Sequence, residues 1–220
     1  MKRCCAAAVL LAACATAPQP APVAKAEKPA ATHMAVHWFD GSVEQAFVKA
    51  KAEGTPLFLY WGAVWCPPCN QIKSVVLSSP EVGEVLDATI PVYLDGDTEN
   101  AQKWAGRLHV SGYPTLLVLD PNGKELVRIS DFVEANELIA AVQAVLSSHD
   151  NITETIDRAL SHDPPARVWT VLAYADWDQS DAANLATRLQ LFDRAPETEA
   201  TARALLAAQL LESAATGPAP

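Results

Sequence analysis

The chain reads as a mixed-sheet α/β domain followed by a small all-helical region. Three observations predict this. Between residues 36 and 148, short apolar runs alternate with stretches of helical periodicity. The last two apolar runs are joined by Pro121-Asn122-Gly123, a turn that makes them a hairpin. After residue 149 no strand signal appears, and prolines divide four helical stretches. A chain of 220 residues has room for one ordinary domain and a smaller companion.

Each element has its own signal. Val43, Ala46, Phe47 and Ala50 recur on one face of a helix over Val43–Glu53, with Gly54 as its stop. Residues 56–61 are continuously apolar, which suits a central strand buried on both faces. A loop carries Trp65-Cys66-Pro67-Pro68-Cys69, and residues 71–77 are predicted helical. Pro80 opens another short turn or helix to Leu86. Residues 90–94 form a second strand, 100–108 a helix, Thr115–Leu119 a third strand and Glu125–Ile129 its hairpin partner. Residues 133–146 are an amphipathic helix. Further helices fall near 152–161, 165–176, 181–193 and 197–214, with Pro164, Pro165 and Pro196 between them. They show no clear internal period, so a small bundle and helical repeats both fit.

The first residues read as an address. Lys2 and Arg3 precede an apolar stretch over residues 4–13, the pattern of a secretory signal peptide. It ends in Leu11-Ala12-Ala13-Cys14, which resembles the bacterial lipobox. That resemblance implies a signal peptide over 1–13 and a lipidated Cys14 as the new N-terminus, held to a membrane by several acyl chains. An ordinary secretory signal cut near Ala17 is the alternative. Ala15 is not the usual inner-membrane retention residue, which points to the outer membrane of a periplasm-facing lipoprotein. Residues 14–35 are rich in Ala and Pro and form an extended tether. No apolar run reaches the roughly 18 residues that a transmembrane helix needs.

Charge narrows the partners. Sixteen Lys and Arg stand against 26 Asp and Glu, a net of −10. Loss of Lys2 and Arg3 with the signal leaves 14 basic residues. Phosphate backbones attract basic surfaces, so no nucleic-acid partner is expected.

Of five cysteines, Cys4 and Cys5 leave with the signal and Cys14 is capped by lipid. Cys66 and Cys69 remain, too few for a disulfide-stapled scaffold. Two cysteines at this spacing can close a small disulfide at the start of a helix. There the first thiolate is favoured by the helix N-terminus, attacks a partner's disulfide, and is released when the second thiol attacks it in turn. Pro67 and Pro68 fit the first helical positions, whose N–H groups are unpaired in any case. Three other readings compete at this stage. A zinc site lacks a second Cys pair or a spaced His pair. A copper site using both thiols has His109 as its candidate third ligand. An inert structural disulfide remains open.

The flanking residues resemble a known family. Trp61-Gly62-Ala63-Val64-Trp65-Cys66-Pro67-Pro68-Cys69 looks like the thioredoxin active-site segment. Gly112-Tyr113-Pro114-Thr115, directly before a strand, resembles that family's cis-proline loop, and Pro114 lies 45 residues beyond Cys69. The likeness covers residues 36–148 and extends to exported thioredoxin-like proteins, among them the C-terminal domain of the membrane reductase that feeds periplasmic disulfide isomerases. It implies a thioredoxin-like fold, with a central mixed sheet flanked by helices, and thiol–disulfide exchange through a redox-active Cys66–Cys69 disulfide without a further cofactor or metal. Cys66 matches the nucleophile, Cys69 the resolving thiol and Pro114 the cis-proline. The backbone of Tyr113 would pair with an extended substrate peptide, while Pro114 keeps a metal ligand out. Trp65 would shield the first Cys, with ordinary packing as its alternative.

The sequence departs from the family in two places. Where the family often buries an Asp as proton acceptor for the second thiol, this chain has Tyr60, and the partner Lys position falls on Tyr93. A neutral Tyr, with an ordinary pKa of about 10, is a poor base. Asp95 and Glu44 are substitutes without positional support. Pro67 stands where thioredoxin itself has Gly. Lys73 reads as a solvated side chain, His109 as a loop or helix-end residue, and Asp95-Gly96-Asp97 as a loop after a strand rather than a calcium site. Trp169, Tyr174 and Trp177 read as packing residues of the C-terminal helices.

Two functions follow. The first is a membrane-tethered extracytoplasmic thiol–disulfide oxidoreductase that reduces or isomerises disulfides of exported proteins, with a transmembrane thiol reductase as electron donor. The second is a non-catalytic assembly lipoprotein that uses the domain and the C-terminal helices, residues 149–220, as binding modules.

Overall fold

The apolar run becomes the central strand. β1 (Leu57–Gly62) is buried along its whole length because both of its faces are covered. It pairs in parallel with β2 (Ile90–Asp95) and antiparallel with β3 (Thr115–Leu119), and β4 (Glu125–Ile129) pairs antiparallel with β3. The sheet order is β2-β1-β3-β4, and the parallel β1–β2 pair needs a helical crossover. The structure is a computed structural model that describes residues 35–174 and 182–216, without the side chains of 182–185 and 212–216. The signal peptide, Cys14 with the tether to residue 34, and Trp177 lie outside the described residues.

Alternation along β1 divides the core. Leu57, Leu59 and Trp61 point to one face, with Val92, Leu94, Leu117 and Leu119, beneath α1 (Val43–Glu53) and α4 (Glu99–Arg107). Phe58 and Tyr60 point to the other, with Leu116, Val118, Val127 and Ile129. That side is covered by α2 (Pro67–Gln71), α3 (Pro80–Leu86) and α5 (Ala135–Ser148). Local signals set the helix ends. Ser42 and Gln45 form a capping box at the start of α1, and Gly54 ends it in the left-handed region at φ 67°. Ser79 caps α3 with Pro80 in its first turn.

The helix expected over residues 71–77 begins earlier, at Pro67, and is not uniform. After α2 the chain runs through a π-helical turn, Ile72–Val76. Such wide turns are rare and cluster at functional sites.

The C-terminal helices are α6 (Ile152–Ser161), α7 (Ala166–Tyr174), α8 (Ala182–Arg194) and α9 (Ala200–Thr216). Trp169, Leu172, Leu191 and Leu206 form their core, so Trp169 is a packing residue. α7 also reaches back into the sheet's core through Val171. Tyr174 donates a hydrogen bond from its hydroxyl to Glu137 on α5, and Lys124 in the β3–β4 turn pairs with Glu154 on α6 at 2.9 Å. Burial and the Glu137 carboxylate hold the Tyr174 phenol protonated by raising its pKa well above the ordinary value.

Candidate active site

The geometry starts from the end of β1. Gly62 and Ala63 lead the chain out of the sheet, and Asn70 donates to the Val64 carbonyl at 3.0 Å, tying the loop to the helix that follows. Cys66 takes extended backbone, φ −91° and ψ 108°, and caps α2, its sulfur accepting the Cys69 N–H at 3.2 Å. Pro67 and Pro68 occupy the first turn, where they forfeit no helical bond. The sulfurs are joined, with an S–S distance of 2.00 Å and Cα atoms 5.2 Å apart. Cys69 is fully covered, whereas Cys66 retains 3% of its surface, so an incoming sulfur can approach the disulfide only at Cys66.

A second loop closes over the pair. The Tyr113–Pro114 bond is cis, and Tyr113 packs on Ala63, Cys66 and Cys69. The Tyr113 hydroxyl donates to the Gly96 carbonyl at 3.2 Å and accepts from Gln102 Nε2 at 2.9 Å. Trp65 is not a packing residue. Its ring is 66% exposed, 6.2 Å from the Tyr113 ring, and its Nε1 donates to Asp97 Oδ1 at 2.9 Å. The Asp95-Gly96-Asp97 loop therefore acts as a brace, holding Trp65 through Asp97 and Tyr113 through Gly96. A Cβ at Gly96 would lie 2.4 Å from the Tyr113 ring. Gly96→Ala is expected to destabilise by about 1–3 kcal/mol through overpacking, and the same change made in a Tyr113→Ala background is expected to cost much less. Thermal unfolding of the four proteins in this cycle checks the coupling.

Beneath the disulfide, Tyr60 and Tyr93 face each other in register on β1 and β2, ring centroids 5.6 Å apart. Tyr60 donates to the Cys69 carbonyl at 3.1 Å, and burial, reinforced by Tyr93, pushes its phenol pKa well above the ordinary value. It is neutral and cannot act as the base. Of the two substitute carboxylates, Glu44 is not placed for the role. Glu44 lies on α1, on the other face of the sheet, accepting from Trp104 Nε1 at 3.1 Å, and Asp95 accepts the Asp97 N–H at 3.2 Å. The expectation for Lys73 is corrected. It is half-buried, and its Nζ donates to the Tyr93 hydroxyl at 2.6 Å. Trp38, overlooked in the sequence, packs within 6.0–6.4 Å of Phe58, Tyr60 and Tyr93 and walls off this cluster. His109 is exposed at the end of α4 with φ 54°. Among the described residues no group of three His, Cys, Asp or Glu is placed to hold a metal ion.

A family model for the thioredoxin-like domain matches residues 43–146. Residues 43–146 are a thioredoxin-like domain. Over 90 residues the chain is 34% identical to the thiol:disulfide interchange protein DsbD of Salmonella typhi, a match covering 39% of this chain and 16% of that protein. Over 117 residues it is 28% identical to the DsbD of Haemophilus ducreyi, covering 51% of this chain and 20% of that one. A solved thioredoxin from Thermus thermophilus is 28% identical with a TM-score of 0.46, covering 51% of this chain and 88% of that chain. The thioredoxin-like domain thus spans a fifth or less of the length of these DsbD proteins.

Proposed function

We propose that the chain is an extracytoplasmic thiol–disulfide oxidoreductase, tethered to a bacterial membrane through a lipidated Cys14, that reduces or isomerises disulfides of exported proteins. The observation that carries this reading is the Cys66–Cys69 disulfide at the start of α2, reachable at Cys66 and flanked by the cis Tyr113–Pro114 loop. Similarity to proteins named for thiol:disulfide interchange supports it.

The residues divide the work. In the reduced state the Cys66 thiolate attacks one sulfur of a client disulfide. That bond breaks, a mixed disulfide forms, and the client's other sulfur leaves as a thiolate and takes a proton from water. Cys69 gives its proton to water and attacks the Cys66 sulfur, releasing the second client thiolate and forming the Cys66–Cys69 disulfide. Two electrons pass to the client, and a transmembrane thiol reductase returns them by the reverse exchange. Trp65 and Tyr113 frame the approach to Cys66, and Pro67, Pro68 and Pro114 fix the two loops. The reaction needs no cofactor beyond the disulfide.

The test is equilibration of the full chain, in detergent, with glutathione buffers, reading the Cys66–Cys69 state by peptide mass. A potential near about −270 mV identifies a reductant that needs an electron-supplying partner. One near about −120 mV reverses the direction to disulfide donation. A pair that never exchanges defeats the enzymatic reading and leaves the assembly lipoprotein.

A further inference from the structure

Three groups from three elements form a chain of contacts that ends on the Cys69 carbonyl, and one of them is a cation. Lys73 lies four residues beyond Cys69, inside the π-helical turn, and reaches inward to the Tyr93 hydroxyl at 2.6 Å, its Nζ 4.3 Å from the ring centroid. Tyr93 packs on Tyr60 with centroids 5.6 Å apart, and Tyr60 donates to the Cys69 carbonyl at 3.1 Å. Trp38 packs on both tyrosines. Among the described residues Lys73 makes no ion pair. Its half-buried ammonium is held by a phenol alone, although such a charge gains most from an anionic counterpart.

Reduction of the disulfide supplies that counterpart, since the dithiol can ionise and the disulfide cannot. The other titratable groups facing the pair from packed elements are the phenols of Tyr60, Tyr93 and Tyr113 and the carboxylates of Asp95 and Asp97. Asp97 is engaged by Trp65 and lies exposed in the loop after β2, where water screens it; Asp95, the half-buried last residue of β2, accepts the Asp97 N–H.

We propose that Lys73 is a positioning residue for the pair: held on Tyr93, its ammonium stabilises the thiolate of the reduced Cys66–Cys69 dithiol. The inference rests on the oxidoreductase reading and deepens it. Opposite charge favours the ionised form, so Lys73 makes the dithiol the better nucleophile at neutral pH and its disulfide the easier one to reduce. In the family's pattern a buried carboxylate lies below the second thiol; this chain has Tyr60 at that position and a cation on the neighbouring Tyr93 instead.

The test is the pH dependence of iodoacetamide alkylation of Cys66 in the fully reduced chain, resolved by peptide mass. Lys73→Met removes the charge and keeps the length, Lys73→Arg keeps the charge, and Tyr93→Phe removes the hydroxyl that holds it. The midpoint is expected to move to higher pH in Lys73→Met, slowing alkylation at pH 7 by about threefold to tenfold, and to return toward wild type in Lys73→Arg. Tyr93→Phe, which preserves the packing, is expected to shift the same way by less. The glutathione equilibrium constant follows toward disulfide, tenfold corresponding to about 30 mV. A Lys73→Met titration that superimposes on wild type while the protein stays folded overturns the proposal. So does an unshifted Tyr93→Phe if Lys73→Met fails to fold. Alkylation requires no exchange activity, so a wild-type chain that does not exchange with glutathione defeats the oxidoreductase reading separately.

Discussion

Cys66→Ser is expected to bring disulfide exchange down to the uncatalysed rate, whereas Cys69→Ser is expected to accumulate a covalent client adduct. The asymmetry follows from burial. Cys66 alone of the pair retains accessible surface, and Cys69 sits fully covered inside the first turn of α2. An incoming disulfide can be attacked only by the outer sulfur, and a serine hydroxyl there is too weakly acidic to replace a thiolate. Without Cys69, the mixed disulfide on Cys66 has no neighbour to resolve it and persists until an external thiol arrives. Both substitutions open the same four-residue covalent loop, so a difference between them reports chemistry rather than stability. The measurement is the mass of adducts formed with a disulfide-bonded test protein, separated without reductant. Adducts on Cys66→Ser, or none on Cys69→Ser, would invert the roles given to the two sulfurs.

The parts of this site that could be read in advance are those encoded by neighbours in the chain. An unbroken apolar run specifies a strand covered on both faces, and β1 is buried from Leu57 to Gly62. Ser42 and Gly54 bracket α1 because a cap and a left-handed residue act within four positions of the helix they end. Cys66, Cys69, Tyr113 and Pro114 stand in two short motifs for the same reason. The π-helical turn has no such local signature: Ile72 to Val76 would suit an ordinary helix. Lys73 looks solvated in the sequence because its partner Tyr93 is 20 residues away on another element. Trp65 and Asp97 are separated by 32 residues and meet only because β1 and β2 end side by side. Partners chosen by topology carry no sequence spacing, so the motif was visible and its electrostatic setting was not.

Trp61→Ala is expected to cost about 3–5 kcal/mol, lowering the unfolding temperature by roughly 12–40 °C for a domain of this size. Trp61 is fully buried on the α1–α4 face of β1, among Leu59, Leu94, Trp104 and Leu117. Truncation therefore leaves a cavity whose walls, a sheet and two helices, cannot close freely. It also deletes the indole N–H that donates to the Ala101 carbonyl on α4 at 3.2 Å. Trp61→Phe retains much of the volume and loses that bond, so it is expected to cost less than half as much. Denaturant unfolding of the reduced proteins gives both values, and a cost below about 1 kcal/mol for the alanine variant would mean that this face is not a packed core. The position matters beyond stability. Trp61 is followed by Gly62 and Ala63, the residues that carry the chain from the sheet to Cys66, and Ala63 is packed against both cysteines. A cavity at that end of β1 loosens the platform from which α2 starts. Trp61→Ala is therefore expected to slow exchange in the fraction that remains folded, with Trp61→Phe restoring it, although neither side chain touches a sulfur.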